Sequence, residues 1–394
     1  MKISLRPLGG AGLLLSTAIA TASPILLDTE QKAAAAFETT LFKAEVPRQV
    51  NGNVDNVVIF TDVMLRMTNA ATTPAALLST PAGITIPCGV SGSFKARLPD
   101  AQPRVLHLRF TDCKARPWGV SQERTFNGTA ALTLPADTFQ PQSLPAVRFG
   151  NDSAELLIDH HTETPNQRED VSEAFNIALR GDISMGLLFD SGAYVSSFRM
   201  NGYTDQRATI ESPLGTPPYF LGYKMTAEHL SVLHTVSVDG EVTGDDTQFL
   251  SGSVAFTQTQ PPPYGILTDA YQFNDYRVNR VTNWGAAWNE QLSIDGRITV
   301  TFNPFWGAGC TNGLYAMKTR VPLFYSLDTP STFQSGELVV NGAVAKFYSA
   351  ENTPPGLPVP VNGMLLNLRV RDVGTFNYDA VDWFQALSPV GACY

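Results

Sequence analysis

The sequence predicts an all-β protein, with antiparallel sheets built from three or four related β-meander units and minor short helices. Glycine (31 residues) and proline (27 residues) are frequent, and only 16% of the residues are charged, which is typical of many strands joined by turns. Several runs, such as residues 104–110, partly alternate apolar with polar residues. That period of two indicates a strand with one buried face. Asn-Gly and Asp-Gly dipeptides recur beside such runs.

Residues 1–22 have the pattern of a secretory signal. Basic residues precede a short apolar stretch at 11–20, and Ala20-Thr21-Ala22 fits the small-x-small cleavage pattern. The apolar stretch is shorter than the roughly 20 residues that a membrane helix needs. We therefore expect an exported protein in the periplasm, at the cell surface or outside the cell. We expect no transmembrane segment after signal removal.

The rest of the chain divides into three predicted parts. Residues 23–45 form an N-terminal leader, in which Asp28 caps a short alanine-rich helix, although a disordered leader is the alternative. Residues 46–165 form a first β domain, and residues 166–394 form a second β domain with repeated units. The polar composition near residue 165 suggests the boundary.

The repeated units are predicted from recurring short motifs. Ser-Gly-Ser occurs at residues 91–93 and again at 251–253, each time followed by an aromatic strand and then by Asn-Gly or Asp-Gly. Asn, Asp and Gly tolerate positive φ, so we expect two-residue type I′ hairpin turns at these dipeptides. The alternative is a set of unrelated turns in an ordinary β protein. The dipeptides are Asn127-Gly128, Asn201-Gly202, Asp239-Gly240, Asp295-Gly296, Asn341-Gly342 and Asn362-Gly363.

The four cysteines predict two disulfides. An even count in an exported chain favours disulfides, and among the three possible connectivities we expect Cys88–Cys113 and Cys310–Cys393. Each would add roughly 3–4 kcal/mol by the chain-entropy argument. Paired C-x-x-C or Cys/His spacing is absent, so the sequence predicts no metal site. We predict no cofactor either.

The first unit carries a resemblance to known sequences. Cys88 and Ser91-Gly92-Ser93 precede Phe110-Thr111-Asp112-Cys113, and Asn127-Gly128-Thr129 follows. This order resembles uncharacterised exported β-rich proteins of Gram-negative bacteria. The resemblance covers the first unit, because later units keep the aromatic residue and the glycine but not the cysteines. It implies an exported β-rich fold and brings no known activity, so it implies no catalytic residue.

Charge and motifs exclude several functions. The formal net charge of −9 repels phosphate backbones, so we expect no nucleic acid partner. The motifs G-x-S-x-G and H-E-x-x-H are absent. The densest cluster of ligand-type residues is Asp159, His160, His161 and Glu163, which we place in a loop. Adjacent strand residues point to opposite faces, so these histidines share a metal or an acid/base role only in a loop. A solvated polar loop is the favoured interpretation.

The candidate binding residues are Trp284, Trp288 and Tyr276, in a window rich in aromatic residues. Exposed rings stack on sugars or contact proteins, whereas the alternative places these rings in the core. We therefore favour an exported, non-enzymatic cell-envelope or secreted protein with a structural or ligand-binding role. Its expected partner is a carbohydrate or another envelope protein. The alternative is a secreted hydrolase acting on polysaccharide or ester substrates, so enzymatic activity stays an open question.

Overall fold

The prediction of an all-β protein built as an antiparallel meander is confirmed. The computed structural model describes residues 23–50, 80, 82–98, 105–115, 123–133, 146–150, 156–165, 170–190, 193–211, 219–239, 243–259, 266–285, 288–301, 312–329 and 331–391. Two helices have both ends within the described residues, α1 (Glu30–Lys43) and α2 (Trp383–Gly391), and residues 46–50 are also helical. The strands are β1 (Ile84–Pro87), β2 (Ser91–Arg97), β3 (Val105–Ala115), β4 (Arg124–Thr133), β5 (Ala146–Phe149), β6 (Leu156–Pro165), β7 (Asp170–Asp190), β8 (Ala193–Glu211), β9 (Tyr219–Asp239), β10 (Thr243–Thr259), β11 (Ile266–Asn283), β12 (Asn289–Thr301), β13 (Gly313–Ser326), β14 (Phe333–Val340), β15 (Ala343–Tyr348), β16 (Met364–Val370) and β17 (Gly374–Ala380).

The strands form one continuous antiparallel sheet in which nearly every strand pairs with the next one in the chain. The exception lies between β4 and β7, where two shorter strands share one position. β5 pairs with one half of β4 and β6 pairs with the other half, and both then pair with β7. The domain boundary predicted near residue 165 falls at the β6–β7 hairpin.

Helix α1 lies in the hydrophobic core, in contact with β13, β14, β16 and α2. All residues from Ala33 to Leu41 are buried, so the helix is covered on every side and not only on one face. Four consecutive alanines keep this helix thin, which lets the surrounding side chains approach its backbone closely. The N-cap is Thr29, whose side chain accepts from the Lys32 backbone N–H, and not the predicted Asp28, which instead forms an ion pair with Lys32.

The Asn-Gly and Asp-Gly dipeptides differ from the prediction. Asn341-Gly342 does form a two-residue turn, with φ of 45° and 87°, between β14 and β15. In contrast, Asn127-Gly128, Asn201-Gly202 and Asp295-Gly296 lie inside strands, so their assignment to hairpin turns was wrong. Asn362-Gly363 precedes β16, and Gly240 lies outside the described residues.

The dipeptides inside strands belong to β-bulges. Asp295-Gly296 faces Asp275 of β11, which has a φ of 51°, and the register shifts on either side of this pair. A Cβ on Gly296 would lie 2.1 Å from the Asp275 carbonyl oxygen, so only glycine fits there. The same close approach occurs between Gly92 and Asp112 and between Gly252 and His229. Bulges bend and twist the strands that carry them, so these glycines mark places where the sheet departs from a flat ladder.

The predicted disulfide between Cys88 and Cys113 is confirmed. It joins the residue after β1 to β3, with 5.5 Å between the two Cα atoms, and both cysteines are buried. Cys310 and Cys393 lie outside the described residues, as do residues 1–22 with the predicted signal. Within the described ranges, neither helix has the length and hydropathy needed to cross a membrane.

We expect Gly296→Ala to lower the free energy of unfolding by at least about 2 kcal/mol, because the new Cβ would strain the backbone and clash with β11. Chemical denaturation followed by circular dichroism measures the change. The matched control is Gly89→Ala, since a Cβ there meets no atom within 4 Å and its effect should stay within about 1 kcal/mol. Equal effects of the two substitutions would contradict the bulge argument.

Candidate functional site

The polar cluster predicted in a loop lies in a strand. Asp159, His160, His161 and Glu163 belong to β6, and His160 is opposite Phe175 of β7 and Arg124 of β4. The loop on which a shared metal site depended is therefore absent at these positions. Among the residues that the structure describes, no group of three or more His, Cys, Asp or Glu side chains could hold a metal ion.

Tyr276, one of the three candidate binding residues, lies in the core. Its side chain is fully buried and stacks on Phe273, with 5.5 Å between the ring centroids. Its hydroxyl donates to the Lys43 carbonyl oxygen at 3.1 Å, which is near the end of α1. Burial raises the pKa of Tyr276 well above its ordinary value. The residue therefore ties the sheet to the helix, and its ring is closed to solvent.

Trp284 and Trp288 are exposed. They lie at the two ends of the short connection between β11 and β12, which we call the tryptophan loop (residues 284–288). Trp284 is 49% exposed and Trp288 is 51% exposed, which is high for such large apolar side chains. The predicted aromatic surface is thus reduced to two rings on one hairpin.

The tryptophan loop is fixed by its own hydrogen bonds and by neighbouring strands. The Gly285 N–H donates to Asn283 Oδ1 at 2.8 Å, and the Trp288 N–H donates to the Gly285 carbonyl at 3.2 Å. The Leu327 N–H, just beyond β13, donates to the Trp288 carbonyl at 3.1 Å. The Trp284 ring lies directly over Gly244 of β10, where a Cβ would come within 2.3 Å of the ring. The loop therefore holds at least the Trp284 ring in a defined place.

A charged cluster near this loop was missed by the sequence reasoning. It runs across five neighbouring strands, β9 to β13, and we call it the polar row: His234, Asp246, Arg280, Glu290 and Tyr325. The strand register brings these residues together, because Asp246 is opposite Arg280 and Glu290 is opposite Tyr325. Arg280 is 1% exposed and Glu290 is 5% exposed, so the centre of the row is buried.

Arg280 is the central residue of the polar row. Its Nη2 donates to the Ala44 carbonyl at 2.9 Å and to Glu45 Oε1 at 2.7 Å, both at the C-terminal end of α1. Its Nε lies 3.6 Å from Glu290 Oε1. A positive charge at this end of a helix also interacts favourably with the helix dipole. The guanidinium thus joins the helix end to a buried carboxylate on the sheet.

Glu290 is held by two hydroxyl groups besides the guanidinium charge. The Tyr325 hydroxyl donates to Oε1, and the Thr282 hydroxyl donates to Oε2 at 2.9 Å. Burial, followed by the hydrogen bond to Glu290, raises the pKa of Tyr325 far above its ordinary value. Tyr325 therefore stays a neutral donor at physiological pH, and the Glu290 carboxylate has a partner at each oxygen.

The other end of the polar row is partly open to solvent. Asp246 Oδ1 lies 3.0 Å from His234 Nε2 and accepts from Gln248 Nε2 at 3.2 Å. Burial alone would raise the pKa of Asp246, but His234, Gln248 and Arg280 outweigh it and hold that pKa below its ordinary value. Asp246 is two residues from Gly244 on the same strand, so the tryptophan loop lies next to this end of the row.

The arrangement combines two exposed aromatic faces with nearby hydrogen-bonding groups, which suits the binding of a ligand that has both apolar and polar surface.

The sequence of β11 contains a signal from which the polar row could have been predicted. The buried positions of β11 include Tyr276, Val278 and Arg280, so a charged residue interrupts an apolar face.

Comparison with family models, curated proteins and solved structures finds no match for this chain.

We expect Arg280→Met to lower the free energy of unfolding by about 3–5 kcal/mol, because the change leaves the Glu290 carboxylate buried without a counter-charge. Urea unfolding at neutral pH measures the effect. Adding Glu290→Gln to the same variant should recover part of the loss, since it removes the unpaired charge.

The control for this experiment is Arg297→Met on β12. Arg297 is exposed, so its replacement should change stability by no more than about 0.5 kcal/mol. A loss below about 1 kcal/mol for Arg280→Met, or no recovery in the double variant, would show that the polar row does not hold the helix end.

We expect the contribution of Asp246 to stability to disappear in acid. Its folded-state pKa is lowered, so this contribution is fully present above the ordinary carboxyl pKa of about 4 and is lost as the pH falls through the folded value. Urea unfolding of the wild type and of Asp246→Asn should differ at pH 6 and converge near pH 2. A difference that stays constant over this range would rule out the proposed ionic role.

Proposed function

We propose that this is an exported, non-enzymatic protein of the cell envelope or the secreted fraction, and that it binds a carbohydrate through the tryptophan loop. The observation that carries the proposal is the pair of exposed rings, Trp284 and Trp288, on a hairpin fixed by hydrogen bonds. Tryptophan gives a large, rigid contact area at low entropic cost, and each ring can bury well over 100 Å² against a partner.

The polar groups around the loop favour a carbohydrate. A sugar ring offers an apolar face for stacking and hydroxyls that need both donors and acceptors. The side chains of Glu45 and Arg48 are half exposed near the end of α1, and Asp246 and His234 are partly exposed on the adjoining strands. These groups provide both charges and both hydrogen-bonding roles, and Asp246 is two residues along β10 from Gly244, which the Trp284 ring covers. A protein partner would instead favour a larger apolar surface around the hot spot.

Two observations support export. The buried disulfide between Cys88 and Cys113 fits an oxidising compartment, because such bonds are rare in the cytosol. The N-terminal residues also fit a secretory signal. The resemblance of the first unit to exported β-rich proteins of Gram-negative bacteria also favours export.

The hydrolase alternative depends on the polar row. Its most buried members, Arg280 and Glu290, are occupied by the helix end, Tyr325 and Thr282, which fits a structural role. Within the polar row, solvent reaches the pair of His234 and Asp246, so a hydrolase site built on this row would use that pair. This makes Asp246 the residue whose replacement separates the two functions.

We expect wild-type protein to show a change in tryptophan fluorescence on titration with at least one oligosaccharide from a panel of envelope and plant glycans. Trp284→Ala and Trp288→Ala should each weaken binding about 5- to 30-fold, as for ring residues at binding hot spots. Their unfolding free energies should change little, because the rings are half exposed.

Gly244→Ala tests the same site without changing a ring, because its new methyl group would displace Trp284. It should weaken binding, while Gly89→Ala should not. If both tryptophan substitutions strongly destabilise the protein, and acrylamide does not quench the wild-type tryptophan fluorescence, the rings belong to the core. That result would contradict the proposal. Release of reducing sugar that Asp246→Asn abolishes would favour the hydrolase.

A further inference from the structure

A groove on the outer face of strands β2 to β5 concentrates positive charge in an acidic protein. Its volume is about 410 Å³, within the range of small-molecule sites. Lys95, Arg97, Arg109, Arg148 and His107 line it, and none of the described lining residues is a carboxylate. The whole chain has a net charge of −9, so this surface is opposite in sign to the molecule that carries it. We call it the basic groove.

The strand register explains how the basic groove forms. Lys95 on β2 is directly opposite Arg109 on β3, and Arg97 is opposite His107. These four side chains are exposed, whereas the alternating residues between them, such as Ala96 and Leu108, are buried. The period of two therefore places every basic residue of these strands on the same outer face.

This arrangement is unfavourable for stability alone. Like charges directly opposite each other on neighbouring strands destabilise a sheet. Among the described residues, Lys95, Arg97 and Arg109 have no ion-pair partner, while Arg148 forms a two-point pair with Asp182 at 2.6 and 3.0 Å. Within the part of the chain that the structure describes, three cations thus have no carboxylate that offsets their repulsion.

A neutral group in the groove is also unsatisfied. Thr129 of β4 is directly opposite Arg109, and its hydroxyl is buried without a hydrogen-bond partner in the described parts of the chain. A buried polar group without a partner is costly, and an acceptor placed beside Arg109 would satisfy it.

We propose that the basic groove binds a compact, multiply charged anion that carries two or more phosphate or sulfate groups. Arginine binds such oxyanions through paired N–H donors, and Lys95 adds a second cation directly opposite Arg109. The groove lies on β2 to β5 and the tryptophan loop joins β11 to β12, so this site is separate from the proposed carbohydrate site.

Isothermal titration of the full mature chain with inorganic pyrophosphate at low ionic strength tests the proposal. We expect binding that weakens as salt is added, because the contacts are charge-assisted. The double variant Lys95→Gln, Arg109→Gln should weaken binding at least tenfold. Pyrophosphate should also raise the melting temperature of the wild type and leave that of the double variant unchanged.

The matched control is Arg297→Gln with Arg369→Gln, which removes the same charge from exposed positions on β12 and β16. This control should bind pyrophosphate as the wild type does. Absence of binding by the wild type, or equal weakening in the two double variants, would overturn the proposal. The Trp284→Ala variant should keep pyrophosphate binding, so failure at one site is distinguishable from failure at the other.

Two further titrations identify the source of the anion. Vesicles containing anionic phospholipid, displaced by pyrophosphate and not bound by the groove variant, would support a lipid headgroup as the ligand. Pyrophosphate binding without vesicle binding would support a free anion. Tight binding of a single-stranded oligonucleotide without pyrophosphate binding would overturn the proposal, since it would require an extended polymer and not a compact anion.

Discussion

The architecture depends on the enclosure of helix α1 by the sheet. The helix residues from Ala33 to Leu41 are all buried, and the helix contacts β13, β14, β16 and α2. Enclosure creates a problem at the helix C-terminus, where the last carbonyls need donors. Tyr276 and Arg280 solve it from β11 by donating to Lys43 and Ala44. The buried Arg280 then requires a counter-charge, which explains why Glu290 and its partners stand in an otherwise apolar face.

Several strands of the sheet are interrupted by β-bulges that contain glycine. The bulges at Gly92, Gly252 and Gly296 lie opposite residues with positive φ on a neighbouring strand, and each shifts the register there. The Asp-Gly of Asp295-Gly296 serves this bend, and the Asn-Gly of Asn341-Gly342 serves a true turn. Both dipeptides tolerate positive φ. In one case the strand continues through a bulge, and in the other the chain reverses in a turn.

This double use explains where sequence reasoning succeeded and where it failed. Strand periodicity and turn-rich composition are local properties, so the all-β meander and the Cys88–Cys113 bond could be predicted. Whether a dipeptide bends a strand or ends it depends on the neighbouring strand, which the local sequence does not contain. The buried setting of α1 was also hidden, because alanine suits a solvated helix as well as an enclosed one. Tyr276 and Trp284 are both aromatic residues in the same window of the sequence, which does not separate their settings. After the bulge at Asp275, Tyr276 faces the helix, whereas Trp284 is exposed on the hairpin.

The enclosed helix also restricts where function can reside. Helix α1 packs against β13, β14 and β16, and Arg280 and Glu290 are buried beside its C-terminal end. The two proposed sites lie elsewhere, at a hairpin end and on the outer face. Trp284 and Trp288 occupy a hairpin end, and Lys95 and Arg109 occupy the outer face. In both places the chain keeps groups that packing alone would disfavour, because solvent-exposed indoles and opposed like charges each cost stability. Function explains their presence better than folding does.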